Sequence, residues 1–308
     1  PISVLGIFVN DMSFVAPKLA KQGETVLGKE FRIGPGGKGT NQAIAISRAG
    51  MAVYLISTIG NDEYGKNAQT LLNKEKIHTK HINVSNDFQT GVAGIQIDEQ
   101  GQNAIIVIPG AASHITINDI EKARKTIENS SVFVSQLEAP VQCVEYALNI
   151  AFEKNVTTIL NPAPAINIDK SILKKIDILT PNETEAASLS GIEIRNINDA
   201  KTAGKIILDF GVKFVVITLG EQGAIICSKK GFQHIESIEI ANTIDTTGAG
   251  DAFNGALAVA IAEGYNIIRS VIFANTAAGI SVTKSGTALS MPYRNEIESL
   301  LSGNDINE

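Results

Sequence analysis

The stretch that decides the fold reads Asp245-Thr246-Thr247-Gly248-Ala249-Gly250-Asp251 and continues as Ala252-Phe253-Asn254-Gly255. Outward from it, the apolar segment 238–244 precedes it, and a run rich in Ala and Leu follows it to Gly264. This order predicts a loop, a tight turn at the two glycines and the N-terminus of a helix. The first N–H groups of a helix lack partners and carry the positive end of the helix dipole, so this turn is a candidate phosphate site.

Asp251 is the residue that an anion site does not explain, because a carboxylate repels an anion. A carboxylate at such a place is better explained as the group that takes a proton from the other reactant. The alternative is that Asp251 caps the helix that begins there, as Asp often does. This stretch alone leaves both interpretations open.

The composition is typical of a globular chain: 308 residues, 44% hydrophobic and 19% charged, with a formal net charge of −6. That length accommodates one large α/β domain or two smaller ones. No block or stripe of Lys and Arg is present, which argues against nucleic acid and anionic membranes as partners. Cys143 and Cys227 lack metal-binding spacing and are expected to be buried thiols of a cytoplasmic protein. We expect segment 1–10 to be a first strand rather than a signal peptide, and no apolar run approaches membrane-spanning length.

Strands and helices alternate along most of the chain. The predicted strands are 2–9, 53–59, 131–135, 156–160, 176–179 and 214–217. The predicted helices are 64–76, 116–128 (opened by a capping box), 141–154, 199–210, 251–264, 267–283 and 294–301. This alternation predicts an α/β fold of three layers, in which helices cover both faces of a central, mostly parallel sheet. No linker interrupts the alternation, so we expect one major domain over residues 1–308.

Polar residues gather where these buried strands end. They are Asp11, Glu138, Asn182, Glu185 and Thr218. Because ligands of open α/β sheets bind beyond the carboxyl ends of the strands, the cluster predicts one site at one edge of the sheet. Two alternatives stay open: Asn10-Asp11 as a turn, and Glu183 and Glu185 as an acidic first helical turn.

Two segments depart from the alternation and predict a small inserted sheet. Residues 12–33 contain short candidate strands at 25–26 and 30–33, and residues 90–109 contain candidate strands at 91–97 and 104–108. Neither segment has a helical pattern. A small antiparallel sheet of this kind could act as a lid over the site.

A second glycine cluster, Gly34-Pro35-Gly36-Gly37-Lys38-Gly39-Thr40-Asn41-Gln42, leads into a helix that ends near Arg48 and Gly50. Lys38 and Asn41 stand at the start of that helix, where they can donate hydrogen bonds. The cluster is not a Walker A loop, because Lys38 is followed by Gly rather than Ser or Thr. A structural turn and a ligand-binding loop both remain possible here.

Three motifs together resemble those of the pfkB family of carbohydrate kinases. Gly36-Gly37-Lys38-Gly39-Thr40-Asn41-Gln42-Ala43 is similar to the N-terminal signature of that family, and residues 245–253 are similar to its C-terminal signature. Asn182-Glu183-Thr184-Glu185 matches its Asn-x-x-Glu motif. The resemblance covers essentially the whole chain. It implies the fold of this family and ATP-dependent phosphorylation of the primary hydroxyl of a pentose, with D-ribose expected first.

The resemblance also implies roles for individual residues. Asp251 would be the base, and the N–H groups of Gly248, Ala249 and Gly250 would form the anion hole. The sugar would be held by Asp11, Gly37, Lys38, Asn41, Glu138 and Asp251. The ATP site would be lined by Asn182, Thr218, Gly220, Glu221, Gln222, Gly223, Gly250 and Asn275.

Cofactors and partners follow from the same resemblance. Asn182 and Glu185 would act on Mg²⁺ through water. A monovalent cation, usually K⁺, would be framed by Asp245, Thr247, Ser281, Lys284, Gly286 and Ser290. The family commonly pairs two subunits through the lid, so a homodimer is implied, with sugar and ATP as the other partners.

Val9 departs from the family pattern, because many bacterial members have Asn two residues before the sugar-binding Asp. The change removes a polar contact and leaves the identity of the pentose open. Deoxyribose, another sugar or a nucleoside are the alternative acceptors, and a non-catalytic sugar- or nucleotide-binding regulator is the alternative of a different class. The chain begins directly at its first predicted strand, so we also expect that a short N-terminal segment is missing.

Overall fold

The described residues form a β-sheet of nine strands and a β-sheet of four. The computed structural model describes residues 1–166, 168–238 and 242–303, so residues 239–241 of the apolar segment 238–244 lie outside the described residues. The strands are β1 (Ile2–Leu5), β2 (Val9–Val15), β3 (Glu30–Gly36), β4 (Val53–Gly60), β5 (His78–Ser85), β6 (Thr90–Ile97), β7 (Asn103–Gly110), β8 (Val132–Ser135), β9 (Thr157–Leu160), β10 (Ile178–Leu179), β11 (Phe214–Thr218), β12 (Ala224–Ser228) and β13 (Gly231–Ile235).

The large sheet has the order β13-β12-β11-β10-β9-β8-β1-β4-β5. Every pair from β11 to β5 is parallel, and the hairpin β12–β13 joins antiparallel at one edge. The register pairs Ile2 with both Val53 and Val132, so the strands in the middle of the sheet end at the same level. This confirms the predicted mostly parallel sheet and brings its strand ends to one edge.

Helices cover both faces of this sheet. They are α1 (Lys38–Arg48), α2 (Glu63–Lys74), α3 (Ile117–Glu128), α4 (Val141–Glu153), α5 (Glu183–Ser190), α6 (Ile197–Asp209), α7 (Ala249–Ala262), α8 (Ile267–Ser281) and α9 (Arg294–Gly303). One apolar core packs α3, α4 and α6 on one face, and a second core packs α1, α7 and α8 on the other. Alternate strand residues enter different cores, as Phe133 and Val134 of β8 do. The three-layer α/β/α prediction is therefore confirmed.

The N-terminal strand is shorter than predicted. The sequence predicts one buried strand over 2–9, but β1 ends at Leu5 and the chain enters the small sheet at Val9. Gly6 marks the break, because a Cβ there would lie 2.6 Å from the Cα of Gly39. The backbone must leave the large sheet at this point, since the start of α1 occupies the space beside it.

The small sheet has the order β3-β2-β6-β7, with β2 and β6 parallel and the other two pairs antiparallel. It therefore draws on residues 9–36 and 90–110, which is wider than the expected 12–33 and 90–109. The predicted short strand at 25–26 is absent from the assigned strands, and Gly34–Gly36 belong to β3 rather than to a loop. Pairing with β2 explains the second difference, because Val9 and Asp11 take Gly36 and Gly34 as partners.

Three strands of the large sheet were not predicted, namely β5, β12 and β13. β5 reads HTKHINVS, and its half-exposed position at the sheet edge needs no apolar alternation. β12 and β13 form a hairpin, and β12 pairs with β11. This pairing depends on tertiary packing and not on a pattern within the two strands. Among the helices of the described ranges, none combines the length and the apolar character that crossing a bilayer would need.

Candidate active site

Asp251 lies in the first turn of α7 and is 5% exposed. Its Oδ2 accepts a hydrogen bond from Asn41 Nδ2 at 2.8 Å, and its Oδ1 accepts one from Gln42 Nε2 at 2.9 Å. The helix is capped by Gly248, whose φ is 86°, and no side chain caps it. The capping alternative for Asp251 is therefore wrong. Two amides of another helix hold its carboxylate instead.

A close crossing of α1 and α7 brings these groups together. A Cβ on Gly255 would lie 2.4 Å from the Cβ of Ala45 and 2.9 Å from the carbonyl oxygen of Gln42. Only the absence of a side chain at Gly255 lets the two helices approach so closely. The crossing then places the first turn of α1, which carries Asn41 and Gln42, directly against Asp251.

Buried amide side chains extend this arrangement along the sheet edge. Gln136 Nε2 donates to Gln42 Oε1 at 2.6 Å, and Gln42 Nε2 also lies 3.3 Å from Asn161 Oδ1. Asn254 Nδ2 donates to the Gly250 carbonyl at 2.8 Å and its Oδ1 accepts from Thr180 at 2.6 Å. The network links the ends of β8, β9 and β10 to α1 and α7. Such connected polar networks restrict motion, so the carboxylate of Asp251 is held in one orientation.

The turn before α7 presents N–H groups to the same region. The N–H of Ala249 points to the Thr246 carbonyl at 3.3 Å. Among the described residues no hydrogen-bond acceptor faces the N–H of Gly248 or of Gly250. These two amides at a helix start form the most open part of the predicted anion hole.

A cavity of about 560 Å³ joins this turn to the small sheet. The predicted site residues that line it are Asp11, Gly37, Lys38, Asn41, Glu138, Thr247, Gly248 and Asp251. Apolar residues of β6 and β7 form its other wall, namely Ala93, Ile95, Ile105, Val107 and Pro109. Val9 lines the same cavity. The predicted sugar-binding set is thus brought together, with polar groups on one side and an apolar wall on the other.

Asp11 reaches the cavity by another route than predicted. It does not follow the end of a strand of the large sheet, and Asn10-Asp11 is not a turn, because both residues lie within β2. Its carboxylate occupies the space of the missing side chain of Gly36, where a Cβ would lie 2.1 Å from Oδ1. The small sheet, rather than the large one, positions this residue.

Charges inside the cavity shift one another's protonation. Burial raises the pKa of Asp11 to about 6, against a hydrogen bond from Thr287 that lowers it. Burial likewise raises the pKa of Glu138 to about 7, although Lys38 opposes the shift. Burial lowers the pKa of Lys38, but the carboxylates of Asp251, Glu138, Glu185 and Asp11 outweigh it and leave the pKa raised. The Lys38 ammonium is therefore the charge that permits several carboxylates to share one buried space.

The predicted nucleotide residues lie farther along the same edge. Thr218 ends β11 and forms an isolated bridge with Asn182. β11 is three strands from β8, a separation of about 14 Å. Gly220–Gln222 form a short turn, and Gly223 has a φ of 84° and no room for a Cβ beside the Ile235 carbonyl. None of these residues lines the sugar-side cavity.

Asn275 and Gly250 complete the predicted nucleotide set. Asn275 Nδ2 lies 3.2 Å from the Glu236 carbonyl and 3.4 Å from the Ile235 carbonyl. It therefore ties α8 to the chain that follows β13. Gly250 belongs to the helix start already described, between the two groups of predicted residues.

Asn182 and Glu185 bind each other. Glu185 Oε2 accepts from the Asn182 N–H at 2.9 Å, and Asn182 Oδ1 accepts from the Glu185 N–H at 2.9 Å, which is a capping box at the start of α5. Glu185 is therefore an acidic residue of the first turn of α5, as the alternative interpretation held, and its carboxylate also completes the capping box. Burial also raises the pKa of Glu185, and the Lys38 charge opposes that shift. The carboxylate keeps free lone pairs, so water-mediated metal contact is compatible with the cap.

The predicted cation residues form two facing loops. Asp245 joins them, because its Oδ1 accepts from Thr247 N–H at 2.9 Å and its Oδ2 from Gly286 N–H at 3.0 Å. Ser281 and Ser290 donate their hydroxyls to nearby backbone carbonyls, and Lys284 pairs with Glu296 at 2.6 Å. Within the part of the chain that the structure describes, no three His, Cys, Asp or Glu side chains gather as a metal site. A cation here would rely on one carboxylate and on backbone carbonyls, which suits a monovalent ion.

Sequence reasoning missed several residues of this site. They are Gln42, Gln136, Asn161, Thr180, Asn254 and Thr287. Gln136, Asn161 and Thr180 stand where predicted strands end, so the rule that selected Glu138 could also have selected them. Nothing in the sequence signals Thr287, because its partners lie more than 250 positions away.

Known proteins share this chain's sequence and fold. A profile described as pfkB family carbohydrate kinase matches residues 2–294. The chain is 40% identical to the ribokinase of Haemophilus influenzae over 96% of each chain. It is 30% identical to a deoxyribokinase of Salmonella typhi over 99% of each chain. Among solved structures, an Arabidopsis thaliana ribokinase complexed with ribose and ATP superposes with a TM-score of 0.88, at 30% identity over 98% of each chain.

A buried carboxylate beside open amides at a helix start is the arrangement of an enzyme that transfers a phosphoryl group to an alcohol. The protein is a sugar kinase by class. This follows from its fold, from its two glycine signatures and from the family match over almost the whole chain. The protein belongs to the pfkB family of carbohydrate kinases.

Proposed function

We propose that this protein transfers the γ-phosphoryl group of ATP to the primary hydroxyl of a pentose, and that D-ribose is the preferred acceptor. The observation that carries the proposal is one cavity lined by both Asp251 and Gly248, at a helix start where the N–H groups of Gly248 and Gly250 have no acceptor among the described residues. The identity to ribokinases, which reaches 40% over 96% of the chain, supports ribose as the acceptor.

In this proposal Asp251 takes the proton of the attacking hydroxyl, while the amides of the turn neutralise the phosphoryl group in transit. Asn41 and Gln42 occupy one lone pair on each carboxylate oxygen and leave others for the hydroxyl. Asp11 and Glu138 accept other sugar hydroxyls. Lys38 opposes the rise in the pKa of Asp11 and Glu138 that burial causes, because its positive charge favours their ionised forms.

We further propose that residues 1–308 act as one kinase domain whose small sheet is a lid. The apolar wall from β6 and β7 would cover the sugar and exclude water, which otherwise competes as phosphoryl acceptor. Gly37 stands between β3 and α1 with a φ of 89°, so it is suited to a hinge between lid and helix.

ATP is proposed to extend from Gly250 towards Asn182, Thr218, Gly220, Glu221, Gln222, Gly223 and Asn275. Asn182 and Glu185 would hold Mg²⁺ through water, since one buried carboxylate and an amide suit an ion that keeps much of its hydration shell. The ion would supply charge neutralisation between the phosphates. The residues of this chain position the nucleotide and the sugar along one sheet edge.

A monovalent cation is proposed to lie between the two loops joined by Asp245. The carboxylate already orders Thr247 and Gly286 through their N–H groups, so an ion there would stiffen the turn that precedes α7. K⁺ is the expected ion, and its contribution would be to shape the anion hole without touching either substrate.

The protein is also proposed to be a cytoplasmic homodimer that pairs through its lids. The lid face turned away from the cavity carries exposed apolar residues, among them Phe14, Phe31, Ile106 and Ile108, of which Ile106 is 74% exposed. Contiguous exposed apolar residues of this kind are typical of an interface. The proposed use of ATP and the two buried free cysteines suit a reducing, ATP-containing compartment.

The test of the proposed function is an ADP-release assay across ribose, 2-deoxyribose, other pentoses, fructose 6-phosphate and adenosine. Ribose is expected to give the highest kcat/KM. Fructose 6-phosphate is expected to fail, because Lys38 faces three carboxylates in the cavity and no second cationic side chain of the described residues lines it. Preference for adenosine would contradict the proposal, and absence of turnover with every acceptor would favour a non-catalytic regulator.

2-Deoxyribose is the second candidate acceptor. Val9 lines the cavity with an apolar side chain. The family resemblance implies Asn at this position in many members, so one polar sugar contact would be missing here. The chain is also 30% identical to a deoxyribokinase over its full length. A higher kcat/KM for 2-deoxyribose than for ribose in the same assay would select this alternative.

A further inference from the structure

Thr287 contacts three separate parts of the candidate site. Its Oγ1 lies 2.9 Å from Asp11 Oδ2 and 2.9 Å from the carbonyl oxygen of Pro35 in β3. Its backbone packs against the turn at Gly248 that precedes α7, since a Cβ on Gly248 would lie 3.3 Å from the Thr287 Cα. One residue therefore contacts the Asp11 carboxylate, strand β3 of the proposed lid and the turn at Gly248 that is proposed to bind phosphate.

The hydroxyl of Thr287 is the donor that orients Asp11. Among the described residues, Thr287 alone donates a side-chain hydrogen bond to this carboxylate, which is 8% exposed. Bonds to ionised acceptors are stronger than those to carbonyls, so the single hydroxyl proton goes to Asp11 in preference to Pro35. Oδ1 then remains free to accept a hydrogen bond from a sugar.

The position of Asp11 needs such a donor. The carboxylate lies against the backbone of Gly36, and the repulsion from Asp251 adds to the cost of its burial. Val9, two residues earlier, offers no hydrogen bond. A buried carboxylate without a donor would turn away or take a proton, and in either case it would lose its value as an acceptor.

We propose that Thr287 is a positioning residue of the sugar site, which aims Asp11 at a sugar hydroxyl and ties lid strand β3 to the turn that binds the transferred phosphoryl group. The carbonyl oxygen of Pro35, 2.9 Å from the same Oγ1, brings lid strand β3 against this side chain. The orientation of Asp11 and the position of the lid strand are then linked through one residue. The proposal rests on the proposed function, because it assigns Asp11 to the acceptor sugar.

The test compares Thr287→Val, which keeps the shape and removes the hydroxyl, with Thr287→Ser, which keeps the hydroxyl. The Val variant is expected to raise the KM for ribose about tenfold, while kcat and the KM for ATP stay within about threefold of the unchanged protein. The Ser variant is expected to remain within about threefold in all three constants. Thr287→Ala provides a second hydroxyl-free variant, and melting temperatures identify any variant that fails to fold.

A second readout separates positioning from packing. The ratio of kcat/KM values among pentoses that differ in one hydroxyl is measured for each variant. This ratio is expected to fall towards 1 in the Val and Ala variants for the hydroxyl that Asp11 accepts, and to stay unchanged in the Ser variant. General damage to packing would lower kcat/KM for all of these sugars by a similar factor.

The proposal is overturned if the Val variant keeps the ribose KM of the unchanged protein, or if the ribose KM rises by the same factor in the Ser and Val variants. It is also overturned if the KM for ATP rises as much as that for the sugar. Failure of the unchanged protein to phosphorylate any pentose would instead contradict the proposed function. The two failures are therefore seen in different samples.

Discussion

At the scale of single residues, Asp251 shows how neighbours assign a role to a carboxylate. Asp in the first turn of a helix commonly caps it. Here the turn is closed by Gly248, and the carboxylate of Asp251 is turned towards the amides of Asn41 and Gln42. Those amides support its charge and stop it from rotating, so it can serve as a base for a hydroxyl held in the cavity.

Replacing Asp251 by Asn tests that role. The variant keeps the size and one acceptor oxygen but cannot take a proton, so kcat is expected to fall by about 10² or more. Binding of sugar and ATP is expected to stay within about threefold. The measurement is steady-state ADP release, with equilibrium binding of both ligands. Near-normal turnover would remove Asp251 from the mechanism.

Glu138→Gln tests how much the buried carboxylate of Glu138 lowers the free energy of unfolding when it is ionised. Because burial raises the pKa of Glu138 to about 7, the folded state holds this proton more tightly than the unfolded state does. Stability conferred by that proton is present at low pH, declines as pH rises towards 7, and is absent above it. The Glu138→Gln variant should therefore gain stability over the unchanged protein at pH 8, by roughly 1–3 kcal/mol, and little at pH 5.

Thermal unfolding at the two pH values measures this difference. Glu153→Gln, at an exposed position of α4, is the matched control and should show no pH-dependent gain. The Glu138→Gln variant is expected to bind sugar more weakly, since it loses a charged acceptor. An equal gain at pH 5 and pH 8 would mean that protonation of Glu138 is not the cause.

At the scale of elements, the crossing of α1 and α7 builds the candidate catalytic centre. Each helix contributes part of it: α1 carries Asn41 and Gln42, and α7 carries Asp251. Neither helix has the site alone. Their separation is set by Gly255, which stands against Ala45 with no space for a side chain.

Gly255→Ala is expected to force the helices apart. The added methyl group would overlap Ala45, so stability should fall by about 1–3 kcal/mol and kcat should fall with it. Gly303→Ala is the control, because it lies in α9 with nothing within 4 Å of its Cβ position. Chemical denaturation and ADP release measure the two effects. Full activity in a folded Gly255→Ala variant would show that the crossing distance does not position Asp251.

The two loops joined by Asp245 carry the cation prediction. At equal ionic strength, KCl is expected to raise kcat severalfold over NaCl or tetramethylammonium chloride, because an ion between the loops would order the turn before α7. Asp245→Asn should reduce that response, since one of its two N–H contacts is weakened. Equal rates in all three salts would count against a cation site.

At the scale of the whole molecule, the small sheet has two apolar faces. Ile105 and Val107 of β7 line the cavity, while Ile106 and Ile108 point the other way and are 74% and 59% exposed. The alternation along one strand gives each face its own task. The inner face lines the cavity and is proposed to cover the sugar, and the outer face is proposed to meet a second subunit.

Ile106→Lys combined with Ile108→Lys is expected to convert a dimer into a monomer, as measured by light scattering during size-exclusion chromatography. Charges on that face could not be buried against a partner. Ile268→Lys, at an exposed apolar position on α8, is the matched control and should leave the dimer intact. A monomeric unchanged protein would remove the proposed interface.

The sequence alone was enough for the fold class, and it named most of the polar residues that line the cavity. Alternating strands and helices predicted the parallel sheet, and glycine signatures located the turn at Gly248 and the start of α1. These are local signals, since a helix start or a buried strand is encoded by neighbouring residues. Asp11, Lys38, Glu138 and Asp251 stand at predicted strand ends and helix starts, and the family resemblance implied their roles. All four line one cavity, and the roles themselves stay predictions.

Only the tertiary structure decided what depends on distant contacts. It ended β1 at Leu5, because Gly39 leaves no room beside Gly6, and so placed Asp11 in the small sheet. It turned Asp251 from a possible cap into a carboxylate held by Gln42, and it brought Thr287 to Asp11 across more than 270 positions. Such pairings have no period or spacing in the chain. They arise when separately folded elements pack together, and packing is a property of the whole molecule.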